Sequence, residues 1–270
     1  MNHFQKYGKP PYQVAVIHGG PGAPGSMAPV AQELSQWCGV VEPWQTKDTI
    51  AGLLGEMKAV LDAECSYPVT LIGHSWGAWL SYLFAAHYPG LVQKLILVGA
   101  GPFEAKYVEK MNTTRDTRMS EAQKLRVEEL SQVLNNPEIQ EKAAVFREFG
   151  WIMSDIDDFH PIEVHTNPVE LQPDTFLRLM QEINSMRNSG ELLERGKQIR
   201  CPVLGIHGDY DPHPAEGVRV PLAGVIADFW WVLLKNCGHT PWNEQEARDN
   251  FYLLLKIQLE INERLFTEVQ

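Results

Sequence analysis

The sequence predicts an α/β protein in which a mostly parallel β-sheet carries helices on both faces and a helical cap is inserted between two strands. Short apolar runs rich in β-branched residues alternate with helical segments over the first hundred or so residues, a pattern typical of a parallel sheet covered by helices. The same pattern returns after residue 200. Between these stretches, residues 104–197 contain helical periodicity but no convincing strand. We therefore divide the chain into a core, 1–102 and 198–270, and a cap, 103–197.

Each element of the predicted core has its own local signal. Continuous apolar runs indicate buried strands, and apolar residues at helical spacing indicate amphipathic helices. The predicted strands lie at 12–18, 40–42, 69–72, 94–99, 201–208 and 228–234. The predicted core helices lie at 27–37, 49–63, 78–87 and 244–262. In the cap, three apolar stripes at helical spacing indicate three helices that pack on the core.

The most informative stretch is the segment Gly73-His-Ser75-Trp-Gly77, a G-x-S-x-G motif between a predicted strand and a predicted helix. That context distinguishes a nucleophile elbow from a chance match. Glycines two residues on either side let neighbouring backbone pass close by while the serine adopts a strained conformation. The hydroxyl then lies clear of the sheet at the positive end of the following helix. We predict that Ser75 is a nucleophile rather than a serine in an ordinary turn.

A serine hydroxyl at its ordinary pKa is a poor nucleophile and requires a base that a third group holds in place. Among nine histidines, His239 follows the last predicted strand in a loop from which its side chain can reach the carboxyl edge of the sheet. We therefore predict that His239 is the base. His18 and His74 lie inside the two glycine loops and are interpreted as shaping them, whereas His207 lies within a strand.

The acidic partner is sought in Gly208-Asp209-Tyr-Asp211-Pro212, directly after a predicted strand. The order Ser75, Asp211, His239 is the one expected when the serine comes first in the chain. Pro212 restricts the residue before it and so gives Asp211 a defined direction, whereas Asp209 is expected to brace the turn. A metal site built from Asp209, Asp211 and His213 is the alternative, but the sequence offers no second ligand group of matching spacing.

These motifs resemble those of α/β-hydrolase-fold proteins over nearly the whole chain. The elbow around Ser75, the Gly-x-x-Asp turn that ends at Asp211 and the Gly-His pair that ends at His239 all match the family pattern. A loop after the first strand, His-Gly-Gly20-Pro-Gly, resembles the family's oxyanion loop. The resemblance implies that the backbone N–H groups of Gly20 and Trp76 stabilise an oxyanion.

Within that family, the pairing of His18-Gly-Gly-Pro-Gly22 with Ser75-Trp-Gly is most similar to proline iminopeptidases. The cap departs from them, because Phe149 and Trp151 stand roughly where their tryptophan–glutamate signature would be, without an adjacent glutamate. We interpret these two aromatic residues as walls of a substrate pocket. Only 17 residues precede His18, too few for the family's usual opening hairpin plus strand, so we expect about six strands. A serine rather than an aspartate at the elbow argues against dehalogenase and epoxide hydrolase chemistry, which requires a carboxylate nucleophile.

Composition limits the partners of this chain. Its 270 residues include 34 acidic and 23 basic side chains, for a net charge of −11 without a lysine- or arginine-rich run. This balance argues against nucleic acid or an anionic membrane as the main partner. Four widely spaced cysteines are typical of reduced thiols, and the N-terminus lacks a secretory apolar segment. We therefore expect a cytoplasmic protein with no metal and no cofactor, and we leave a homo-oligomer open.

The combined expectation is a serine hydrolase that cleaves a small ester or amide. Ser75 attacks the carbonyl, His239 transfers the proton and Asp211 orients the imidazole. Two alternatives remain at this point. An aminopeptidase of the proline iminopeptidase type would recognise a free amino terminus, and a ligand-binding receptor would keep the fold with negligible turnover.

Overall fold

A computed structural model describes residues 3–21, 24–162 and 172–260. At its centre is a seven-stranded sheet with the strand order β1-β3-β2-β4-β5-β6-β7. Five of the six neighbouring pairs are parallel, and only β1 and β3 run antiparallel. The strands are β1 Phe4–Tyr7, β2 Tyr12–Ile17, β3 Gly39–Pro43, β4 Val69–His74, β5 Val92–Val98, β6 Val203–Gly208 and β7 Phe229–Leu234. The predicted α/β class is confirmed, with one strand more than the six expected.

The additional strand is β1, at one edge of the sheet. It spans four residues, of which Gln5 and Lys6 are exposed, and Phe4 pairs with Pro43 of β3. The chain reverses between β1 and β2 through Gly8, whose φ is +74°. A four-residue edge strand with two exposed polar residues gives almost no periodic signal, because strand prediction relies on alternation over several residues. One short strand therefore does precede β2, although it pairs with β3 and forms no hairpin with β2.

The sheet separates two apolar cores, because alternate residues of each strand point to opposite faces. On one face, Leu71 of β4 packs in a cluster with helices α2 and α3. On the other face, the adjacent Ile72 packs in a cluster with α1 and α10. The helices of the core are α1 Ala28–Leu34, α2 Ile50–Glu64, α3 Trp76–His87, α9 Glu216–Val225 and α10 Arg248–Gln258. Helix α9 was missed by the sequence prediction, and Pro221 lies inside it.

In the described part of the chain, five further α-helices lie between β5 and β6, where the sequence predicts a cap of three. They are α4 Val108–Arg118, α5 Glu121–Asn135, α6 Ala143–Asp157, α7 Pro173–Ser189 and α8 Glu191–Glu194. Helix α7 is firmly joined to the core, because Leu179 and Ile183 are fully buried in the cluster that contains α3. Its Glu182 accepts a hydrogen bond from the backbone N–H of Ile50 (2.9 Å) at the start of α2. The cap boundaries at 103 and 197 stay a prediction.

None of the helices in the described ranges combines the length and apolar character that crossing a membrane requires.

Candidate active site

Ser75 lies at the junction between β4 and α3 in a strained backbone conformation. Its φ of 54° and ψ of −118° are unusual for a residue with a side chain. The strain is maintained by close packing of the flanking glycines. A Cβ atom added at Gly73 would lie 2.2 Å from the carbonyl oxygen of Gly77, and one added at Gly77 would lie 2.2 Å from that of Ile17. The glycines of the motif are therefore required by the close approach of three backbone segments.

The structure brings Asp211 and His239 together, although 28 residues separate them in the chain. The Nδ1 atom of His239 lies 2.8 Å from Oδ2 of Asp211, which is hydrogen-bonding distance. If Nδ1 carries the proton, Nε2 is left as an acceptor, which is the tautomer that a general base requires. Ser75 and His239 line the same two cavities. Of the predicted site residues, these three are thus assembled at one edge of the sheet.

Asp211 is more extensively hydrogen-bonded than a partner of His239 needs to be. Its side chain is completely buried, and Oδ1 accepts bonds from the backbone N–H of His213 (2.9 Å) and from Nδ1 of its ring (2.7 Å). Burial alone raises the pKa of Asp211, but His239, His213 and His207 around it hold the pKa well below its usual range. The carboxylate is therefore ionised over the physiological pH range.

Asp209, the competing acid, has a different environment. One carboxylate oxygen lies 3.4 Å from Nζ of Lys235, and the other accepts a bond from the backbone N–H of Cys237 (3.3 Å). These contacts join the end of β6 to the loop that carries His239. Asp209 thus lies in the position expected of a residue that braces this turn.

His213 is a feature that the sequence did not predict, except as a candidate metal ligand. Its ring stacks on that of His239, with the centroids 4.5 Å apart and an interplanar angle of 28°. Burial lowers the pKa of His213 to about 4, so its ring is neutral at physiological pH. Ligand atoms of Asp211, His213 and His239 lie within 4.8 Å of one another, but a metal here would have to displace both histidine–carboxylate hydrogen bonds. This arrangement fits a histidine–carboxylate network better than it fits a metal centre.

The electrostatics of His239 favour its protonated form more than those of an ordinary histidine. Burial alone lowers the pKa of His239, but the buried Asp211 carboxylate more than offsets this effect, and the pKa lies above the usual 6.5. The backbone of His239 is held from both sides, because its N–H donates to the carbonyl of Asp157 (3.0 Å) and its carbonyl lies 2.9 Å from Nε2 of His74. Burial lowers the pKa of His74 to about 3, so that ring is neutral and donates its Nε2–H.

The two predicted oxyanion donors, Gly20 and Trp76, line the larger cavity beside Ser75. Gly20 has a φ of 50°, a conformation that suits glycine. The sequence analysis missed Gln45, which connects the two loops. Gln45 donates to the carbonyl of His18 (3.1 Å) and accepts from the indole N–H of Trp76 (2.7 Å). Gly22, the last residue of the predicted oxyanion loop, lies outside the described residues.

Glu244 is a second positioning residue that the sequence did not reveal, because it was read only as the start of the last helix. It is fully buried and accepts three backbone hydrogen bonds, from Phe159 (2.7 Å), His160 (2.6 Å) and Gly238 (2.7 Å). Two of these donors follow α6 of the cap, and the third directly precedes His239. One carboxylate therefore joins the cap to the loop of the candidate base.

Two cavities meet at Ser75 and His239. The larger cavity, of about 690 Å³, is walled in part by Phe149 and Trp151, the aromatic residues predicted to form a substrate pocket. The smaller cavity, of about 400 Å³, is lined by Asp155 and Asp158. Both volumes lie within the range of small-molecule sites, roughly 300–1,000 Å³. A substrate with a group on each side of its scissile bond could occupy both.

Burial raises the pKa of Asp158 to about 6. The carboxylate accepts hydrogen bonds from the backbone N–H of Thr240 (3.0 Å) and from the hydroxyl of Ser154 (3.0 Å). Asp157 beside it is bound by Arg115 through two hydrogen bonds, of 2.9 and 2.5 Å. Glu163, another acid that the sequence offers in the cap, lies outside the described residues.

Comparison with known proteins supports this description of the fold. The model of the alpha/beta hydrolase family matches residues 15–251, and the chain belongs to that family. A search of curated proteins finds no match.

Among solved structures, VinJ is similar, with 17% identity, coverage of 95% of this chain and 94% of that one, and a TM-score of 0.68. A proline iminopeptidase from Mycobacterium smegmatis is 16% identical, with 95% and 93% coverage and a TM-score of 0.62. A thermophilic esterase from Thermogutta terrifontis is 19% identical, with 95% and 92% coverage and a TM-score of 0.61. At these identities the likeness establishes the fold, while family membership supports a hydrolase.

Proposed function

We propose that this protein is a serine hydrolase that cleaves an ester or amide bond of a small molecule through Ser75, His239 and Asp211. The observation that carries the proposal is the 2.8 Å contact between His239 and a buried carboxylate, in a site shared with a strained serine. The Asp211 contact keeps the proton of His239 on Nδ1 and leaves Nε2 to accept one from the serine.

The reaction then has two halves. Ser75 Oγ attacks the substrate carbonyl while His239 Nε2 takes its proton, and the backbone N–H groups of Gly20 and Trp76 stabilise the oxyanion. The tetrahedral intermediate collapses as His239 returns the proton to the departing alcohol or amine, which leaves an acyl-enzyme. Water, deprotonated by His239, then attacks the acyl-enzyme and releases the acid together with free Ser75.

A second candidate, an aminopeptidase, is favoured by one observation. Asp155 and Asp158 line the smaller cavity, and a free α-ammonium group in a closed pocket requires a carboxylate partner. Against it, Asp158 already accepts two hydrogen bonds, from the hydroxyl of Ser154 and the backbone N–H of Thr240. We therefore place small-ester or amide hydrolysis first.

Labelling with a serine-directed phosphonate tests the nucleophile. Intact mass spectrometry is expected to show one adduct on the wild type and none on Ser75→Ala. A matched control is Ser81→Ala, since Ser81 is buried on the same helix, and this variant should label like the wild type. An adduct formed on Ser75→Ala at the wild-type rate would identify a different serine.

Turnover then separates the three candidate functions. A short-chain para-nitrophenyl ester, an aminoacyl-arylamide and its N-acylated form are compared by kcat/KM. Preference for the ester supports the proposal. A preference of more than about 100-fold for the free-amine arylamide would establish the aminopeptidase instead. Negligible turnover of all three, with intact labelling of Ser75, would favour a receptor.

A further inference from the structure

Two arginine side chains in the larger cavity have no acidic partner among residues 3–21, 24–162 and 172–260. Arg187, near the end of α7, is only 8% exposed, and its buried Nε makes no hydrogen bond. Its Nη2 donates to the side-chain oxygen of Asn184 (2.5 Å), a neutral partner. Arg147 on α6 also has a buried Nε without a partner. Both side chains line the cavity that contains Ser75.

The charged groups around this cavity are predominantly positive. Arg115, Arg147 and Arg187 line it, and Asp157 is the one carboxylate among its described lining residues. Because Asp157 is bound in a bidentate pair by Arg115, the other two arginines leave an excess of two positive charges. The whole chain has a net charge of −11, so this excess is local. A cleft lined by one sign of charge concentrates ligands of the opposite sign.

Burying a guanidinium group without an acidic partner costs folding free energy. A buried arginine of this kind therefore indicates a partner from outside the chain. Burial lowers the pKa of Arg187 from its usual value. The ring of Trp79, whose centroid lies 5.5 Å from Cζ of Arg187, offers partial compensation through a cation–π contact. An anion that entered the cavity would supply the missing partner. Arginine is well suited to this because its planar fork matches a carboxylate in a bidentate pair.

We propose that the substrate of this hydrolase carries a carboxylate, which Arg187 binds in the larger cavity, where Arg147 adds to the positive charge. This inference rests on the proposed function, because it names the substrate class of the same site. Trp79, which contacts Arg187, lies four residues beyond Ser75 on α3, a rise of about 6 Å. The anion at Arg187 and the reacting carbonyl at Ser75 therefore lie at different places in one cavity, and a substrate with a methylene chain between its carboxylate and its scissile bond would reach both.

The lining between the two ends suits such a chain. Phe146, Phe176 and Met180 line the same cavity and present apolar surface. The rings of Phe146 on α6 and Phe176 on α7 contact each other, with centroids 4.9 Å apart. Phe176 lies eleven residues before Arg187, so this apolar pair is about 16 Å along α7 from the end that carries the arginine. A free α-ammonium group would be repelled here, so the larger cavity excludes an amino terminus.

The first test compares esters matched in length. Para-nitrophenyl hexanoate and the mono-para-nitrophenyl ester of adipic acid differ only in whether the chain ends in a methyl or a carboxylate group. The wild type is expected to prefer the adipate half-ester in kcat/KM by about 30-fold or more, the effect of a buried charge pair. Hexanoyl para-hydroxybenzoate places the carboxylate in the leaving group instead, and a preference for it would assign the larger cavity to that side.

Three variants test whether Arg187 causes the preference for the adipate half-ester. Arg187→Gln is expected to remove most of it, and Arg187→Lys to retain a part, because lysine keeps the charge but not the fork. The matched control is Arg178→Gln, on the same helix, whose side chain is 58% exposed and lies 3.4 Å from Asp48. This control is expected to keep the wild-type preference. If Arg187→Gln does not fold, Arg147→Gln serves the same comparison.

A binding measurement on Ser75→Ala separates this inference from the proposed function. Calorimetric titration with adipate, hexanamide and hexyl phosphate is expected to show that adipate binds and the uncharged hexanamide does not, and that Arg187→Gln abolishes adipate binding. Adipate binding without any ester turnover would refute the hydrolase and leave the carboxylate site standing. Turnover of neutral esters with no preference and no adipate binding would refute the carboxylate site alone. Tighter, Arg187-dependent binding of hexyl phosphate would replace the carboxylate by a phosphate.

Discussion

Replacing Asp211 by asparagine tests the proposed triad most directly. The carboxylate accepts three hydrogen bonds, two from His213 at Oδ1 and one from His239 at Oδ2. An asparagine has one acceptor oxygen and must turn its amide N–H₂ toward one of these sides. Keeping the oxygen on His213 preserves two bonds instead of one, an advantage of about 1 kcal/mol. The amide then faces His239 with a donor.

That orientation favours the wrong tautomer of His239. A donor opposite Nδ1 moves the imidazole proton to Nε2, where it can no longer accept the proton of Ser75. We expect Asp211→Asn to lower kcat by about 10⁴-fold while leaving the fold intact. At 1.36 kcal/mol for each tenfold change, this is about 5.4 kcal/mol of transition-state stabilisation. The cost far exceeds that of one hydrogen bond, because the base itself is lost.

Asp209→Asn is the matched control, since Asp209 contacts Lys235 and the backbone of Cys237 rather than a histidine. We expect it to lower kcat by less than about tenfold, through one weakened turn hydrogen bond of about 1 kcal/mol. The assay is kcat for the preferred ester, with thermal unfolding measured on each variant. A crippled Asp209→Asn beside an active Asp211→Asn would show that the acid has been misassigned.

The pH profile of the same pair provides a second readout. Because Asp211 holds the pKa of His239 above 6.5, kcat/KM of the wild type should rise with pH along a limb centred above 6.5 as the imidazole loses its proton. In Asp211→Asn the carboxylate charge is gone while burial remains, so the residual limb should shift to lower pH. A wild-type profile that stays flat from pH 5.5 to 8.5, with chemistry rate-limiting, would rule out a histidine base.

Three further predictions concern residues that position the site. Glu244→Gln leaves one of three buried backbone N–H donors poorly paired, so the free energy of unfolding, measured in denaturant, should fall by about 2–4 kcal/mol. The control Glu246→Gln changes a partly exposed residue and should alter the free energy of unfolding by less than about 0.5 kcal/mol. Asp158 has a pKa of about 6 in the folded protein and about 3.9 in the unfolded chain, so its neutral form stabilises the fold. This stabilisation is fully present below about pH 3.9 and is lost as the pH rises through 6. Unfolding of Asp158→Asn at pH 4.5 and 7.5 should therefore show a gain over the wild type at the higher pH, of up to about 3 kcal/mol, and an unchanged difference would refute the raised pKa. Gln45→Leu removes the bridge between the two predicted oxyanion loops, so kcat should fall by about tenfold or more with KM little changed, and an unaltered kcat would show that Gln45 does not position Trp76.

Much of the architecture is readable from local patterns in the sequence. The alternation of apolar runs and helices predicts the parallel sheet, and the glycines around Ser75 predict the elbow, because close backbone approach demands glycine at fixed offsets. The position of Pro212 after Asp211 predicts which of two acids is directed at His239. Each of these signals spans only a few residues of the chain, so it can be recognised without the tertiary structure.

Other features depended on contacts between distant segments. Strand β1 was missed because pairing with β3, rather than its own four residues, makes it a strand. Gln45 and Glu244 carry no motif, and only their placement against the oxyanion loop and the cap reveals what they hold. The unpaired state of Arg187 is likewise invisible in the sequence.

In a sequence with 34 acidic residues, any arginine could be expected to find a partner. Only the packing of α7 against α3 shows that Arg187 has a neutral amide and an aromatic ring beside it instead. The physical reason is that hydrogen bonding, burial and charge pairing are set by distances between side chains, and residues far apart in sequence acquire these distances only in the folded chain. The sequence by itself therefore determined the class of fold and predicted the candidate reacting groups, whereas only the tertiary structure decided how those side chains are held and which charged groups line the cavity.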